Sequence, residues 1–107
     1  MEVYGLRTCD SCRKAKKALE GAGRAFEMRD VREDGVPKGV LEQAEAQFGA
    51  ALMNTRSTTW RGLDAQARSL PVLQLIEAHP TLMKRPLIVE GAQMTLGWGP
   101  EAQAKWL

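Results

Sequence analysis

The chain has 107 residues, 44% of them hydrophobic and 26% charged, with a formal net charge of +2. That length suits one domain with a modest core, and the balance is ordinary for a soluble globular protein. So small a net charge argues against a nucleic-acid binder, and no stretch approaches the roughly 20 apolar residues that span a bilayer. The opening Met1-Glu2-Val3-Tyr4-Gly5 has no basic or apolar leader region, so a cytoplasmic protein with reduced cysteines is expected.

Residues 2–6 read as a short buried strand. Residues 10–22 read as a helix, with Ala15, Ala18, Leu19 and Ala22 at i, i+3, i+4, i+7 spacing. Asp10 or Ser11 would cap it, and Gly21 or Gly23 would end it. Ala25-Phe26-Glu27-Met28 alternates and reads as a second strand. This β-α-β start implies a parallel pair with a right-handed crossover. After a charged turn over 29–35, Pro37 opens a helix with Leu41, Ala44 and Phe48 on one face, stopped by Gly49. Residues 52–60 read as a helical turn and a polar loop, with another turn around Trp60 to Leu63. Ser69 is expected to cap a helix with Pro71 in its first turn and Val72, Leu75 and Ile76 inward, ended by His79-Pro80. Pro86 to Glu90 and Gln93 to Leu96 form a hairpin about Gly91-Ala92. Gly99-Pro100 starts a last helix ending at Trp106-Leu107.

The order is therefore β-α-β, a helical block over about 35–80, then β-β-α. It predicts an α/β domain spanning 1–107: a thioredoxin-like fold with a mixed four-stranded sheet and a helical insertion between its halves.

The chemistry concentrates at Cys9-Asp10-Ser11-Cys12, which holds both cysteines of the chain. At a strand-to-helix junction, the first sulfur meets free backbone N–H groups and the positive end of the helix dipole, which stabilise a thiolate. The second lies one turn along the same face, placed to resolve a mixed disulfide. Arg13, Lys14, Lys16 and Lys17 add positive potential, or simply form a solvated face. Structural zinc lacks ligands, since His79 is the lone histidine, and no metal is expected. A static disulfide would close too short a loop to stabilise much. Asp10 opposes the Cys9 thiolate by like charge while supporting the helix start. His79 reads as a helix C-terminal residue, and Trp60, Trp98 and Trp106 as packing.

Cys9-Asp10-Ser11-Cys12-Arg13-Lys14-Ala15, Asn54-Thr55-Arg56-Ser57 and His79-Pro80-Thr81-Leu82-Met83-Lys84-Arg85-Pro86 together resemble the arsenate reductase C (ArsC)/Spx family of thioredoxin-fold proteins, over essentially the whole chain. Residues 54–60 are closer to its YffB-like branch, and the Cys-x-x-Cys is closer to Spx. The resemblance implies that Cys9 is the nucleophile and Cys12 the resolving thiol. It places Arg85 at the family's anion-binding arginine and Pro86 at the cis proline beside the reactive cysteine. Arg56 and Arg13 join Pro86 as candidate substrate- or thiol-binding positions, although Arg13 reads first as a solvated helix residue. The implied activity is a thiol-dependent reductase with no bound cofactor, using glutathione as co-substrate or a thioredoxin- or glutaredoxin-type protein as partner. One alternative is a redox-sensing regulator that binds RNA polymerase at the C-terminal domain of its alpha chain, and another is arsenate reduction. For arsenate the family's late arginine is missing from Leu96-Gly97-Trp98-Gly99-Pro100, and Asn54 stands where an arginine is usual.

Overall fold

In the computed structural model, which describes all 107 residues, the elements run β1 (Glu2–Gly5), α1 (Asp10–Gly21), β2 (Glu27–Asp30), α2 (Lys38–Phe48), a 3-10 turn (Gly49–Leu52), α3 (Thr58–Arg61), α4 (Ala65–Arg68), α5 (Val72–Ala78), a 3-10 turn (Pro80–Leu82), β3 (Leu87–Glu90), β4 (Gln93–Leu96) and α6 (Pro100–Trp106). They fall into two compact units, residues 1–34 with 85–107, and residues 35–84.

The first unit is built on a four-stranded sheet of order β2-β1-β3-β4, with β1 and β2 parallel and the other pairs antiparallel. Val3 sits opposite Met28 on one side and Ile88 on the other, so these three share a sheet face. Val3, Ile88, Leu19, Ala102 and Trp106 form a buried cluster, with Met1, Phe26, Met28 and Trp98 packed around it. Burying each large side chain fully is worth about 1.5–3 kcal/mol, which is what holds α1 and α6 to the sheet. The buried Trp106 indole N–H donates to Thr95 Oγ1 at 2.7 Å, so its one polar atom is satisfied.

The second unit is helical. Its buried apolar residues are Leu41, Ala44, Leu52, Leu75, Ile76, Leu82 and Met83. A bridge between Met53 and Met83 ties the segment after the first 3-10 turn to the segment after the second, with Asn54 N–H donating to Leu82 C=O at 2.7 Å and Lys84 N–H to Leu52 C=O at 2.8 Å. Arg68 lies over the Trp60 ring, 5.2 Å from its centroid, and also donates to Trp60 C=O.

Several expectations need correction. Cys9, rather than Asp10 or Ser11, is the N-cap of α1. Of the two glycines proposed to end that helix, Gly23 does so, at φ +72, where a Cβ would be strained. The second strand is Glu27–Asp30 and not 25–28, because pairing with β1 fixes its register and Phe26 packs from outside the ladder. It is an edge strand, so charged residues are tolerated in it. Ser69 caps no helix start: it follows α4, donating from its hydroxyl to Gln66 C=O, while Pro71 precedes α5. The one-turn helix α4, capped by Asp64, carries no apolar periodicity that would reveal it.

Candidate active site

The segment 6–9 carries the chain from β1 into α1. Cys9 N–H donates to Leu6 C=O at 3.2 Å, and Cys9 takes an extended conformation at φ −83, ψ 124. Its sulfur lies at the positive end of the helix, where the Cys12 backbone N–H favours the thiolate. Cys9 is half-buried, while Cys12, one turn on, is fully buried in the stripe that continues through Ala15 and Leu19. Both are free thiols.

The opposite wall comes from the entry to β3. The Arg85–Pro86 peptide is cis, as the sequence reading placed it, and Pro86 is buried. Pro86 C=O accepts from Gly97 N–H at 2.9 Å, which ties this turn to the end of β4. Arg85 reaches the Cys9 sulfur with its guanidinium.

These neighbours push the two thiols apart. Burial is the largest single influence on Cys9 and raises it. The Cys12 backbone N–H, the Cys12 thiol and the Arg85 guanidinium all favour the thiolate, and together they hold Cys9 below the ordinary thiol value. Cys12 is pushed up to about 12, mainly by burial and then by the neighbouring Cys9 sulfur, against a Leu6 backbone hydrogen bond and Arg85. One sulfur thus gives up its proton more readily than the other. That division suits a nucleophile and a resolving thiol.

The other candidates are placed differently. Arg13 is exposed on α1, in an ion pair with Asp10 at 2.5 Å. That pairing leaves the Asp10 carboxylate solvated and partnered, which screens its repulsion of Cys9. Arg56 belongs to the helical unit. It is exposed, and its N–H donates to Asn54 Oδ1 at 3.1 Å. His79 follows the last turn of α5, its N–H donating to Leu75 C=O at 2.8 Å. No three His, Cys, Asp or Glu side chains gather where they could hold a metal ion.

A model of the ArsC family matches residues 4–106. The chain belongs to the ArsC family. An uncharacterised protein from Haemophilus influenzae is 40% identical over 90% of this chain and 89% of its own. The global transcriptional regulator Spx of Listeria innocua is 28% identical over 98% of this chain and 85% of its own. The solved structure of a YffB protein superposes with a TM-score of 0.90 at 29% identity, covering 99% of this chain and 97% of that one. The thioredoxin-like architecture read from the sequence is thus the architecture of its ArsC relatives.

One feature with no signal in the sequence is a cavity beside Cys12. It measures about 420 Å³ and is walled by the end of β1 (Gly5, Leu6, Arg7), the start of α1 (Cys12, Arg13, Lys16) and β2 with its loop (Met28 to Asp30, Glu33, Asp34). It lies at the carboxyl ends of the two parallel strands, where open α/β sheets commonly place ligands. Only the β1–β2 pairing brings these separate stretches together, and no local motif announces it.

Proposed function

We propose that this ArsC-family chain is a cytoplasmic thiol–disulfide oxidoreductase. The Cys9 thiolate attacks a disulfide sulfur, forming a mixed disulfide and releasing the substrate's other sulfur as a thiol. Cys12 then attacks Cys9, freeing the second sulfur and leaving a Cys9–Cys12 disulfide. An external thiol restores both cysteines by the same exchange in reverse. Glutathione is the co-substrate in this reading, or a thioredoxin- or glutaredoxin-type protein takes its place. Arg7 and Lys16 around the cavity suit the carboxylates of a peptide thiol.

The observation that carries the reading is the placement of the two free thiols, Cys9 half-buried at the start of α1 beside Arg85 and Cys12 buried one turn on. Cys9→Ser should abolish reaction with a protein disulfide. Cys12→Ser should stop at a mixed disulfide on Cys9, seen by mass spectrometry. Normal turnover of Cys12→Ser without added glutathione would overturn the dithiol mechanism.

A second reading is favoured by the Spx relative, which matches nearly the whole chain. In it the same pair is a redox sensor and the partner is RNA polymerase, met through its alpha subunit. Retention of RNA polymerase on the immobilised protein, dependent on the Cys9–Cys12 redox state and without disulfide reductase activity, would select this reading.

A further inference from the structure

Gly5 closes β1 directly beside Cys12. A Cβ built on it would lie 2.5 Å from Cys12 Sγ, 3.3 Å from Cys12 Cβ and 3.4 Å from Met28 Cε. Non-bonded heavy atoms settle at about 3.5–4.0 Å, so the Cys12 sulfur fills the space that any other side chain would need. The backbone does not require glycine here, because Gly5 is outside the set of positive-φ glycines. Its requirement is for space, and the group using that space is a thiol.

We infer that Gly5 is a positioning residue for the resolving sulfur: its missing side chain lets Cys12 Sγ lie against the end of β1, within reach of Cys9. The inference rests on the dithiol reading above. In the step it serves, Cys12 loses its proton to solvent and its sulfur bonds to Cys9 Sγ. The bond from Cys9 to the substrate sulfur breaks, and that sulfur leaves with the electron pair and takes up a proton. The substrate disulfide is the oxidant. The geometry also says what an intruding methyl does. Gly5 and Cys12 both line the cavity of about 420 Å³, so the displaced sulfur has open space to enter without disturbing the β1 ladder. The sheet then survives while the resolving geometry is lost.

An aromatic chromogenic disulfide separates the two steps, because attack by Cys9 releases one coloured thiolate and resolution by Cys12 releases the second. Gly5→Ala should slow the second release at least tenfold and change the first less than threefold. Equal second-release rates in Gly5→Ala and the native protein would overturn the inference. A single release from the native protein would instead sink the dithiol reading, and the role of Gly5 with it. Thermal melts of Gly5→Ala in the native background and in the Cys12→Ala background make a second test that does not need activity. The loss caused by the Gly5 substitution should largely disappear when the sulfur is absent. An equal loss in both backgrounds, or failure of both to fold, would overturn the inference.

Discussion

At Cys9 burial works against the thiolate, and the Cys12 backbone N–H, the Cys12 thiol and then the Arg85 guanidinium, through a hydrogen bond and its charge, outweigh it. Iodoacetamide at slightly acidic pH should therefore label Cys9 first, and preferential labelling of Cys12 would contradict the assignment. Arg85→Ala should slow that labelling several-fold at neutral pH and move its pH midpoint upward, because a charge-assisted partner of the thiolate is lost. Cys12 makes the opposite prediction about stability. Its folded value of about 12 lies above the ordinary 9.0, so above pH 9 the unfolded chain sheds a proton that the folded chain keeps. The unfolded state then binds fewer protons, and stability falls as pH rises from about 9 toward 12. Tyr4, held up to about 12 by burial and its hydrogen bond to Glu2, adds to the same alkaline limb. Melts of the reduced protein should therefore weaken across this range, and Cys12→Ser should flatten part of the decline. An unchanged slope in that variant would show that Cys12 is not held protonated.

The helix α1 does two jobs at the element scale: it presents Cys9 at its first turn and anchors itself through Cys12, Ala15 and Leu19. Leu19 is fully buried in the cluster with Val3, Ile88 and Trp106. Leu19→Ala should cost about 2–5 kcal/mol in denaturant unfolding, since the cavity left behind adds to the lost burial. A loss below about 1 kcal/mol would mean that this contact does not fix the helix to the sheet. The apolar spacing made α1, α2 and α5 legible in the sequence, and the Gly91-Ala92 turn did the same for the hairpin, where Glu90 pairs with Gln93. Reading failed where the signal is not periodic. The edge strand β2 is Glu-Met-Arg-Asp, with no apolar alternation to announce it, and its register comes from β1. Ser69 looked like an N-cap because serine favours both ends of short turns, and α4 before it is a single turn. The cysteine motif and the Arg85–Pro86 turn were legible because each sits at a junction between clear elements. The cavity and the space at Gly5 were not, because both arise from tertiary pairing.

For the molecule as a whole, the ArsC family leaves open which anion or thiol meets Cys9, and the supply of cations bears on that choice. Arsenate is a multiply charged oxyanion, and holding it takes several charge-assisted hydrogen bonds from guanidinium groups. In the sheet unit, Arg85 is turned to the Cys9 sulfur, Arg13 is paired with Asp10, Arg29 is paired with Glu2 and Glu27, and Arg7 shares the cavity wall with Asp30, Glu33 and Asp34. Residues 96–100 offer no arginine after β4, and Asn54 spends its side chain on the backbone of its own turn. A disulfide asks for less, because the attacking sulfur needs a thiolate and the leaving sulfur carries a single charge. Arsenate turnover with glutathione and glutaredoxin should accordingly fall well below the ~1 s⁻¹ lower end of ordinary enzymatic rates, while reduction of a glutathione mixed disulfide proceeds. Arsenate turnover at ordinary rates in the unaltered protein, lost in Arg85→Ala, would show that the single guanidinium at the cysteine suffices and that the oxyanion is the substrate after all.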